Sequence, residues 1–285
     1  MGKIYDALEK SQKEKKPTVE SSKGAVVDFY KDKGKKKDAL DLTATIVIKE
    51  NVHKNLVTYL NPQSLESEMF KILRGNILFP AKGKPPRSIL VTSALPGEGK
   101  SFVSTNLAVS IAQNINEHVL LIDGDIRKPS VHKYLGCDET RGLAEYLTED
   151  RALSDVLLKT DIKKLTILPG GRPPHNPAEL LSSRKMSQLL EEVKERYSDR
   201  YIIIDSPPPQ LTAETGAIAR QVDAIIIVVK YGSTPRGIVE ELVETLGKEK
   251  IIGCVMNWFD MRSSTYYGYG KYGKYSKYYR KKLGS

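Results

Sequence analysis

With 285 residues, the chain can form one large α/β domain with tails, or two small domains, and can bury a substantial core. No apolar run reaches the roughly 18 residues that a membrane-spanning helix needs, and we expect neither a signal peptide nor an N-terminal lipid anchor. The net charge of +10 is concentrated at the two ends, because residues 1–54 carry 13 basic and 9 acidic side chains and residues 261–285 carry 7 basic and no acidic ones.

The first 55 residues are predicted to be an N-terminal extension and a flexible linker. Ile4, Ala7 and Leu8 have helical spacing, whereas residues 13–40 are rich in Lys, Ser and Gly and contain too few apolar side chains to form a core. The short amphipathic stretch is a candidate docking element for a partner, and an extension without a role is the equal alternative.

Residues 56–260 alternate between short apolar runs and helical patterns. Six runs are continuous and rich in β-branched residues, which predicts strands buried on both faces: Ser88–Thr92, Val119–Ile122, Leu165–Leu168, Tyr201–Ile204, Ala224–Val229 and Ile251–Met256. Helical patterns cover Leu65–Leu78 with Ser64 as N-cap, Ser101–Gln113, Arg184–Tyr197 and Arg236–Leu246. This alternation predicts an α/β domain with a doubly wound, mostly parallel sheet.

A phosphate-binding loop follows the first of these strands and opens the first long helix after it. The segment is Ala94-Leu95-Pro96-Gly97-Glu98-Gly99-Lys100-Ser101, with alanine in place of the first glycine of the usual pattern. Small residues let backbone N–H groups approach phosphate oxygens, and the helix N-terminus adds partial positive charge. Lys100 can reach the β- and γ-phosphates, and the Ser101 hydroxyl can ligate Mg²⁺. We therefore predict ATP and Mg²⁺ as cofactors, bound by Pro96, Gly97, Glu98, Gly99, Lys100, Ser101 and Phe102.

Two further strands end in carboxylates. Asp123 and Asp125 follow one predicted strand, and Asp205 follows another. In an open α/β sheet the ligand crevice lies at the carboxyl ends of the strands, so these side chains should face the phosphate-binding loop. Either site alone could merely cap the next helix, but the two together with Lys100 and Ser101 favour coordination of metal and water.

Residues 261–285 are predicted to form a flexible, basic tail. Seven tyrosines fall within fourteen residues, interleaved with Gly, Lys and Ser: Tyr266, Tyr267, Tyr269, Tyr272, Tyr275, Tyr278 and Tyr279. Such a segment could bind nucleic acid through stacking and phosphate contacts, or an anionic membrane surface through its lysines. Alternatively, its glycines provide the flexibility that lets several hydroxyls enter one active site in turn.

The combination of these motifs resembles the bacterial tyrosine kinases (BY-kinases) of capsule and exopolysaccharide assembly. PGEGKS matches their Walker A motif, Leu120–Pro129 (LLIDGDIRKP) their Walker A′ motif, and Ile202–Pro208 (IIIDSPP) their Walker B motif, while the tail matches their tyrosine cluster. The resemblance implies a P-loop NTPase fold of the MinD/ParA-like branch. It also implies an ATP- and Mg²⁺-dependent tyrosine autokinase, with the seven tail tyrosines as phosphoacceptors.

The resemblance assigns roles to single residues as well. It implies catalytic roles for Lys100, Asp123, Asp125 and Asp205, with Asp123 or Asp125 as the base for the tyrosine hydroxyl. Ser101, Asp123 and Asp205 would be the Mg²⁺ residues, and Asn257, after the last predicted strand, matches the place where related ATPases contact adenine.

Assembly and partners are implied in the same way. Family members form rings through a Glu-x-x-Arg-x-x-Arg helix, which matches Glu68, Lys71 and Arg74 here; lysine keeps the charge of the middle arginine but loses its bidentate fork. The implied partners are a membrane activator of the polysaccharide co-polymerase type acting in trans, a protein tyrosine phosphatase and further copies of the chain, with no nucleic acid. The protein would be cytoplasmic and recruited to the inner face of the membrane by its activator.

Three other functional classes fit the sequence less well. Partition- or division-type ATPases of the same superfamily usually carry an early lysine in the P-loop, where this chain has Leu95. An iron–sulfur carrier of this fold needs a cysteine pair, and Cys137 and Cys254 form no such motif. A eukaryotic-type kinase would need HRD and DFG motifs, which the sequence lacks.

Overall fold

The computed structural model describes residues 44–46, 52–138, 140–196, 200–207 and 214–259. The strands are β1 (Ala44–Ile46), β2 (Ser88–Ser93), β3 (His118–Asp123), β4 (Leu158–Thr160), β5 (Leu165–Leu168), β6 (Arg200–Asp205), β7 (Ala224–Lys230) and β8 (Ile251–Asn257). The helices are α1 (Val57–Leu60), α2 (Leu65–Leu78), α3 (Lys100–Ala112), α4 (Val131–Tyr134), α5 (Leu143–Thr148), α6 (Pro177–Leu181), α7 (Arg184–Arg196), α8 (Glu214–Ala219) and α9 (Arg236–Leu246). The tyrosine-rich tail and residues 1–43 lie outside the described residues.

Within the described ranges, eight strands form one sheet in the order β1-β4-β5-β3-β6-β2-β7-β8. Neighbouring strands are parallel except β4 and β5, which are antiparallel. The predicted doubly wound, mostly parallel α/β sheet is confirmed. The sequence prediction missed β1 and β4, and β1 adds three residues of the predicted linker to the sheet edge.

Apolar side chains cover both faces of this sheet because alternate residues of each inner strand point to opposite sides. Ile89 and Val91 of β2 belong to a cluster that packs against α2 and α3, through residues such as Phe70 and Leu107. Leu90, between them, belongs to the opposite cluster, which includes Leu143, Met186, Leu189, Ile218 and Leu242 from α5, α7, α8 and α9. The two helical layers leave the carboxyl ends of the central strands as the place for a ligand.

The central strands bring the predicted motifs to this end of the sheet. β6 lies between β3 and β2, with Asp123 in register with Asp205 and Val91 also in register with Asp205. β2 continues directly into the predicted phosphate-binding loop, and α3 begins at Lys100. Among the described helices, none has both the length and the apolar composition required to cross a bilayer.

Candidate active site

The P-loop has the backbone shape that its glycines predict. Gly97 and Gly99 have φ angles of 77° and 96°, in the left-handed region that residues with a Cβ avoid. A Cβ on Gly99 would lie 2.1 Å from Asn257 Nδ2, so a side chain cannot be placed there without displacing Asn257. Lys100 follows at the first helical position and is 8% exposed, which leaves its ammonium group inside the site rather than in bulk water.

The Glu98 carboxylate stabilises this loop through hydrogen bonds within the protein. Its side chain is 1% exposed, and its Oε2 accepts the backbone N–H of Leu95 at 2.7 Å. Its Oε1 accepts from the Thr234 hydroxyl and from the Lys230 backbone N–H, so the same carboxylate holds the segment between β7 and α9. Asn257 Nδ2 donates to the Glu98 carbonyl at 2.8 Å and adds the end of β8. Glu98, predicted as a cofactor-binding residue, thus has its carboxylate bound within the protein.

Asp123 and Asp205 form a buried pair at the ends of β3 and β6. Asp123 Oδ2 accepts the N–H groups of Ser130 and Val131 at 2.8 and 2.9 Å, which fixes the carboxylate against the start of α4. Burial, followed by the charge of Asp205, holds the pKa of Asp123 well above its usual range, although the two N–H donors lower it. Burial likewise raises the pKa of Asp205 to about 6, against the opposing influence of the Ser101 hydroxyl and the Lys100 charge.

The free oxygens of this pair fit a magnesium ion. Asp123 Oδ1 and both oxygens of Asp205 are buried and accept no hydrogen bond within ordinary geometric limits, a costly state for buried carboxylates unless a further group binds them. Among the described residues, no three His, Cys, Asp or Glu side chains form a complete metal cage. Mg²⁺ is typically bound by one or two carboxylates together with water and substrate phosphates. Ser101, Asp123 and Asp205 are therefore the residues that would hold it.

Asp125 has a different environment two residues further on. It is only partly buried, and its Oδ1 accepts the Lys128 N–H at 3.1 Å. Burial raises its pKa, and the charge of Glu214 adds to the rise, while the Lys128 N–H and the Lys100 charge act against it. An accessible carboxylate with a raised proton affinity is suited to accept a proton from an incoming hydroxyl.

An ion pair missed by the sequence analysis flanks Asp125. Arg127 Nε lies 2.5 Å from Glu214 Oε1, where Arg127 is half-exposed and Glu214, at the start of α8, is 1% exposed. The other oxygen of Glu214 is buried without a hydrogen bond. In the sequence, Glu214 has the pattern of an ordinary acidic residue in a first helical turn, so only the fold reveals its place beside the Walker A′ segment.

The structure thus brings most of the predicted site residues together and separates the rest. Lys100 and Asp125 are close enough for their charges to influence each other and Asp205, and Asn257 contacts the P-loop. The predicted oligomerisation residues lie elsewhere, on α2. Lys71 Nζ is 2.6 Å from Glu68 Oε1, and Arg74 donates to the Ser110 carbonyl at 2.7 Å, ten residues along α3 from Lys100. The seven predicted phosphoacceptor tyrosines lie outside the described residues.

Comparison with known proteins places this site in a familiar context. A family model for an AAA domain matches residues 87–251. Tyrosine-protein kinase YwqD of Bacillus subtilis (strain 168) is 35% identical over 220 residues, which cover 76% of this chain and 92% of that protein. The solved kinase domain of Escherichia coli tyrosine kinase ETK is 29% identical with a TM-score of 0.70, covering 78% of this chain and 86% of that domain.

The fold is also similar to that of a protein solved with a bound nucleotide. The septum site-determining protein MinD of Pyrococcus horikoshii OT3, solved in complex with Mg-ADP, has a TM-score of 0.52 at 25% identity, covering 60% of this chain and 69% of that one. This likeness confirms the predicted MinD/ParA-like branch of the P-loop NTPase fold.

Proposed function

Because the chain belongs to the family of bacterial tyrosine-protein kinases, we propose that it transfers the γ-phosphoryl group of Mg·ATP to its own C-terminal tyrosines, between subunits of an oligomer. The enzyme class predicted from the motifs, a protein-tyrosine kinase with an ATP-binding P-loop, is confirmed by these relatives. The choice of substrate, the individual residue roles and the biological setting are what we propose here.

One observation carries the proposal: the P-loop lysine faces a buried pair of carboxylates that have free oxygens. The Ser101 hydroxyl and the Lys100 charge both lower the pKa of Asp205, so they lie close to its carboxylate. Asp205 in turn lies in register with Asp123. Phosphoryl transfer asks a protein mainly to position the nucleotide and to neutralise charge. A cation from the chain, an array of loop N–H groups and two carboxylates able to hold Mg²⁺ are what that task requires.

Each residue then has a defined task. The P-loop amides and Lys100 hold the β- and γ-phosphates, and Ser101, Asp123 and Asp205 hold Mg²⁺, which when bound neutralises charge on the phosphate oxygens. The side-chain amide of Asn257 donates through Nδ2 to the Glu98 backbone carbonyl. The side-chain oxygen of Asn257 then remains to accept from the amino group of adenine.

Asp125 is the base we favour over Asp123. Asp123 is fully buried and already accepts two backbone N–H groups, whereas Asp125 is accessible. As the tyrosine oxygen forms a bond to the γ-phosphorus, the bond between that phosphorus and the oxygen of ADP breaks. The phenolic proton passes to the Asp125 carboxylate.

The tail is the substrate that the chain itself supplies. Its seven tyrosines are interleaved with Gly, Lys and Ser, which provide flexibility. The segment contains no acidic residue, so its positive charge favours approach to the negatively charged nucleotide. By family resemblance, we place this autokinase in control of capsule or exopolysaccharide synthesis. A membrane co-polymerase-type activator would recruit it to the membrane in trans, and a tyrosine phosphatase would reverse the reaction.

The test is incubation of the purified chain with labelled Mg·ATP, followed by phosphoamino-acid analysis. Two variants accompany it: Lys100→Met, which removes the ammonium at nearly constant length, and a variant with all seven tail tyrosines changed to Phe. We expect label on tyrosine in the wild type, a loss of about 100-fold or more in Lys100→Met, and no tail label in the Phe variant.

Mixing the two variants separates transfer between subunits from transfer within one. The Phe variant retains the active site and Lys100→Met retains the tail, so label on the Lys100→Met chain in the mixture shows transfer between subunits. Label retained by Lys100→Met alone would contradict the active-site assignment. ATP hydrolysis without phosphotyrosine, even with a membrane activator present, would instead indicate a nucleotide switch.

A further inference from the structure

Trp258 is an exposed aromatic side chain in an unusual backbone conformation beside the P-loop. It is the only tryptophan of the chain, is 65% exposed, and follows the last residue of β8. Its φ angle of 62° lies in the left-handed region, which bulky residues adopt only when their surroundings enforce it. Such conformations cluster at binding sites, where they aim a side chain at a ligand.

The neighbours of Trp258 tie it to the nucleotide loop. Asn257, the residue before it, donates to the Glu98 carbonyl at 2.8 Å, and its Nδ2 occupies the space that a side chain on Gly99 would need. The Lys230 ammonium lies 5.1 Å from the centre of the indole ring, and the Lys230 N–H is directed at the Glu98 carboxylate. Both the backbone that carries the indole and the cation that holds it are therefore anchored to the P-loop.

The two faces of the indole ring have different surroundings: one is covered by a cation and the other is accessible to a ligand. Lys230 covers one face as a cation–π partner. Trp258 belongs to neither hydrophobic cluster of the described core, and its exposed fraction leaves the other face accessible. A flat, accessible aromatic surface next to a phosphate-binding loop suits a heteroaromatic base, because every base has a π face that can stack on it.

We propose that Trp258 forms the stacking wall of the base subsite, with a purine ring on the face opposite Lys230. This inference rests on the proposed function, since it places the base of the same nucleotide whose phosphates the P-loop holds. Asn257 contacts the edge of the base through its side-chain amide, and Trp258 contacts its face. The pair distinguishes a nucleotide from a bare polyphosphate, which the P-loop alone cannot do.

The single tryptophan makes the inference directly measurable. Indole fluorescence of the wild-type chain is followed during titration with Mg·ATP and, separately, with Mg·tripolyphosphate, which has the phosphates but no base. We expect ATP to quench the emission and tripolyphosphate to leave it nearly unchanged. Binding affinity is measured in parallel by calorimetry, which does not depend on the fluorophore.

Three variants complete the design. Trp258→Ala should weaken ATP binding about tenfold and leave tripolyphosphate binding unchanged, while Trp258→Phe should retain most of the ATP affinity. Ile252→Ala is the matched control, because Ile252 is also an exposed apolar residue of β8, at the other end of that strand. Its ATP affinity should equal that of the wild type.

The outcomes separate this inference from the function on which it rests. If ATP binds by calorimetry but Trp258→Ala binds it as tightly as the wild type, or if tripolyphosphate quenches as strongly as ATP, the stacking role is wrong and the kinase proposal stands. If the wild-type chain binds neither ATP nor tripolyphosphate, both fall.

Discussion

At the scale of single residues, Asp205 shows most clearly how the site sacrifices stability for function. It is fully buried, its carboxylate oxygens accept no hydrogen bond within ordinary limits, and burial raises its pKa to about 6. Ionising such a group in the folded chain costs free energy that a bound cation would recover. A ligand cation at this point would complete the arrangement.

This predicts an unusual pH dependence for the nucleotide-free chain. Because the pKa of Asp205 is higher in the folded than in the unfolded state, its contribution to stability is fully present below pH 3.8 and is lost as the pH rises through about 6. Asp205→Asn, which cannot ionise, should therefore be more stable than the wild type at pH 7.5, by on the order of 1–3 kcal/mol. At pH 5 the difference should be smaller.

Chemical denaturation at the two pH values, without nucleotide, measures this difference. Asp223→Asn is a suitable control, since Asp223 lies outside the site and its pKa is lowered: burial raises it, but the hydrogen bonds from Lys194 and the Ser88 N–H outweigh burial. That variant should not gain stability at pH 7.5. Equal pH profiles for the wild type and Asp205→Asn would show that Asp205 is not the strained group.

At the scale of secondary-structure elements, much of the fold could be predicted because its inner strands are continuous apolar runs. All six predicted strands are present, with ends shifted by at most a residue or two. β1 and β4 were not predicted, because a three-residue strand such as Leu158-Lys159-Thr160 is too short to show a period and carries an exposed lysine. β4 is also the strand that breaks the parallel pattern.

The candidate site was predictable to the extent that its residues belong to local motifs. Lys100, Asp123, Asp125 and Asp205 follow parallel strands, and the carboxyl ends of parallel strands lie at the same edge of the sheet. The contacts of Glu98 with Thr234, and of Arg127 with Glu214, join residues 136 and 87 positions apart. No local pattern encodes such pairs, so they become visible only when the strands are assembled.

The link from Glu98 to Thr234 gives a prediction about how elements are coupled. The Thr234 hydroxyl donates to Glu98 Oε1 and accepts the Lys230 N–H at 3.1 Å, so it joins the P-loop to the turn between β7 and α9. Thr234→Val removes the hydroxyl at nearly constant volume and should lower the free energy of unfolding by about 1–2 kcal/mol. It should also weaken Mg·ATP binding about fivefold, because the loop loses a support.

Thr234→Ser is the matched comparison, since it keeps the hydroxyl and loses only a methyl group. Calorimetric titration with Mg·ATP and thermal unfolding of both variants give the two quantities. We expect Thr234→Ser to remain close to the wild type in both. If the two variants behave alike, the methyl group rather than the hydrogen bonds accounts for the effect.

At the scale of the whole molecule, the distribution of charge suggests how phosphorylation could act on assembly. The last 25 residues carry seven basic and no acidic side chains, whereas residues 55–260 are nearly neutral, with 25 basic against 26 acidic. On α2, the residues predicted to join subunits are already engaged within the protomer: Lys71 with Glu68 and the Pro62 carbonyl, and Arg74 with the Ser110 carbonyl. With part of their hydrogen-bonding capacity used internally, an added attraction from the tails would matter to the stability of a ring.

Each phosphate adds about −1.5 to −2 charges at pH 7, so about four to five phosphotyrosines would be enough to reverse the sign of the tail. We expect the phosphorylated chain to have a lower average mass by light scattering than the unphosphorylated chain, with the difference shrinking as salt screens the repulsion. Lys100→Met incubated with Mg·ATP controls for effects of the nucleotide itself. The variant in which the seven tail tyrosines are changed to Phe controls for phosphorylation elsewhere in the chain. Only the wild type can acquire phosphate charge on its tail. If all three chains decrease in average mass, or if none of them does, tail charge does not govern assembly.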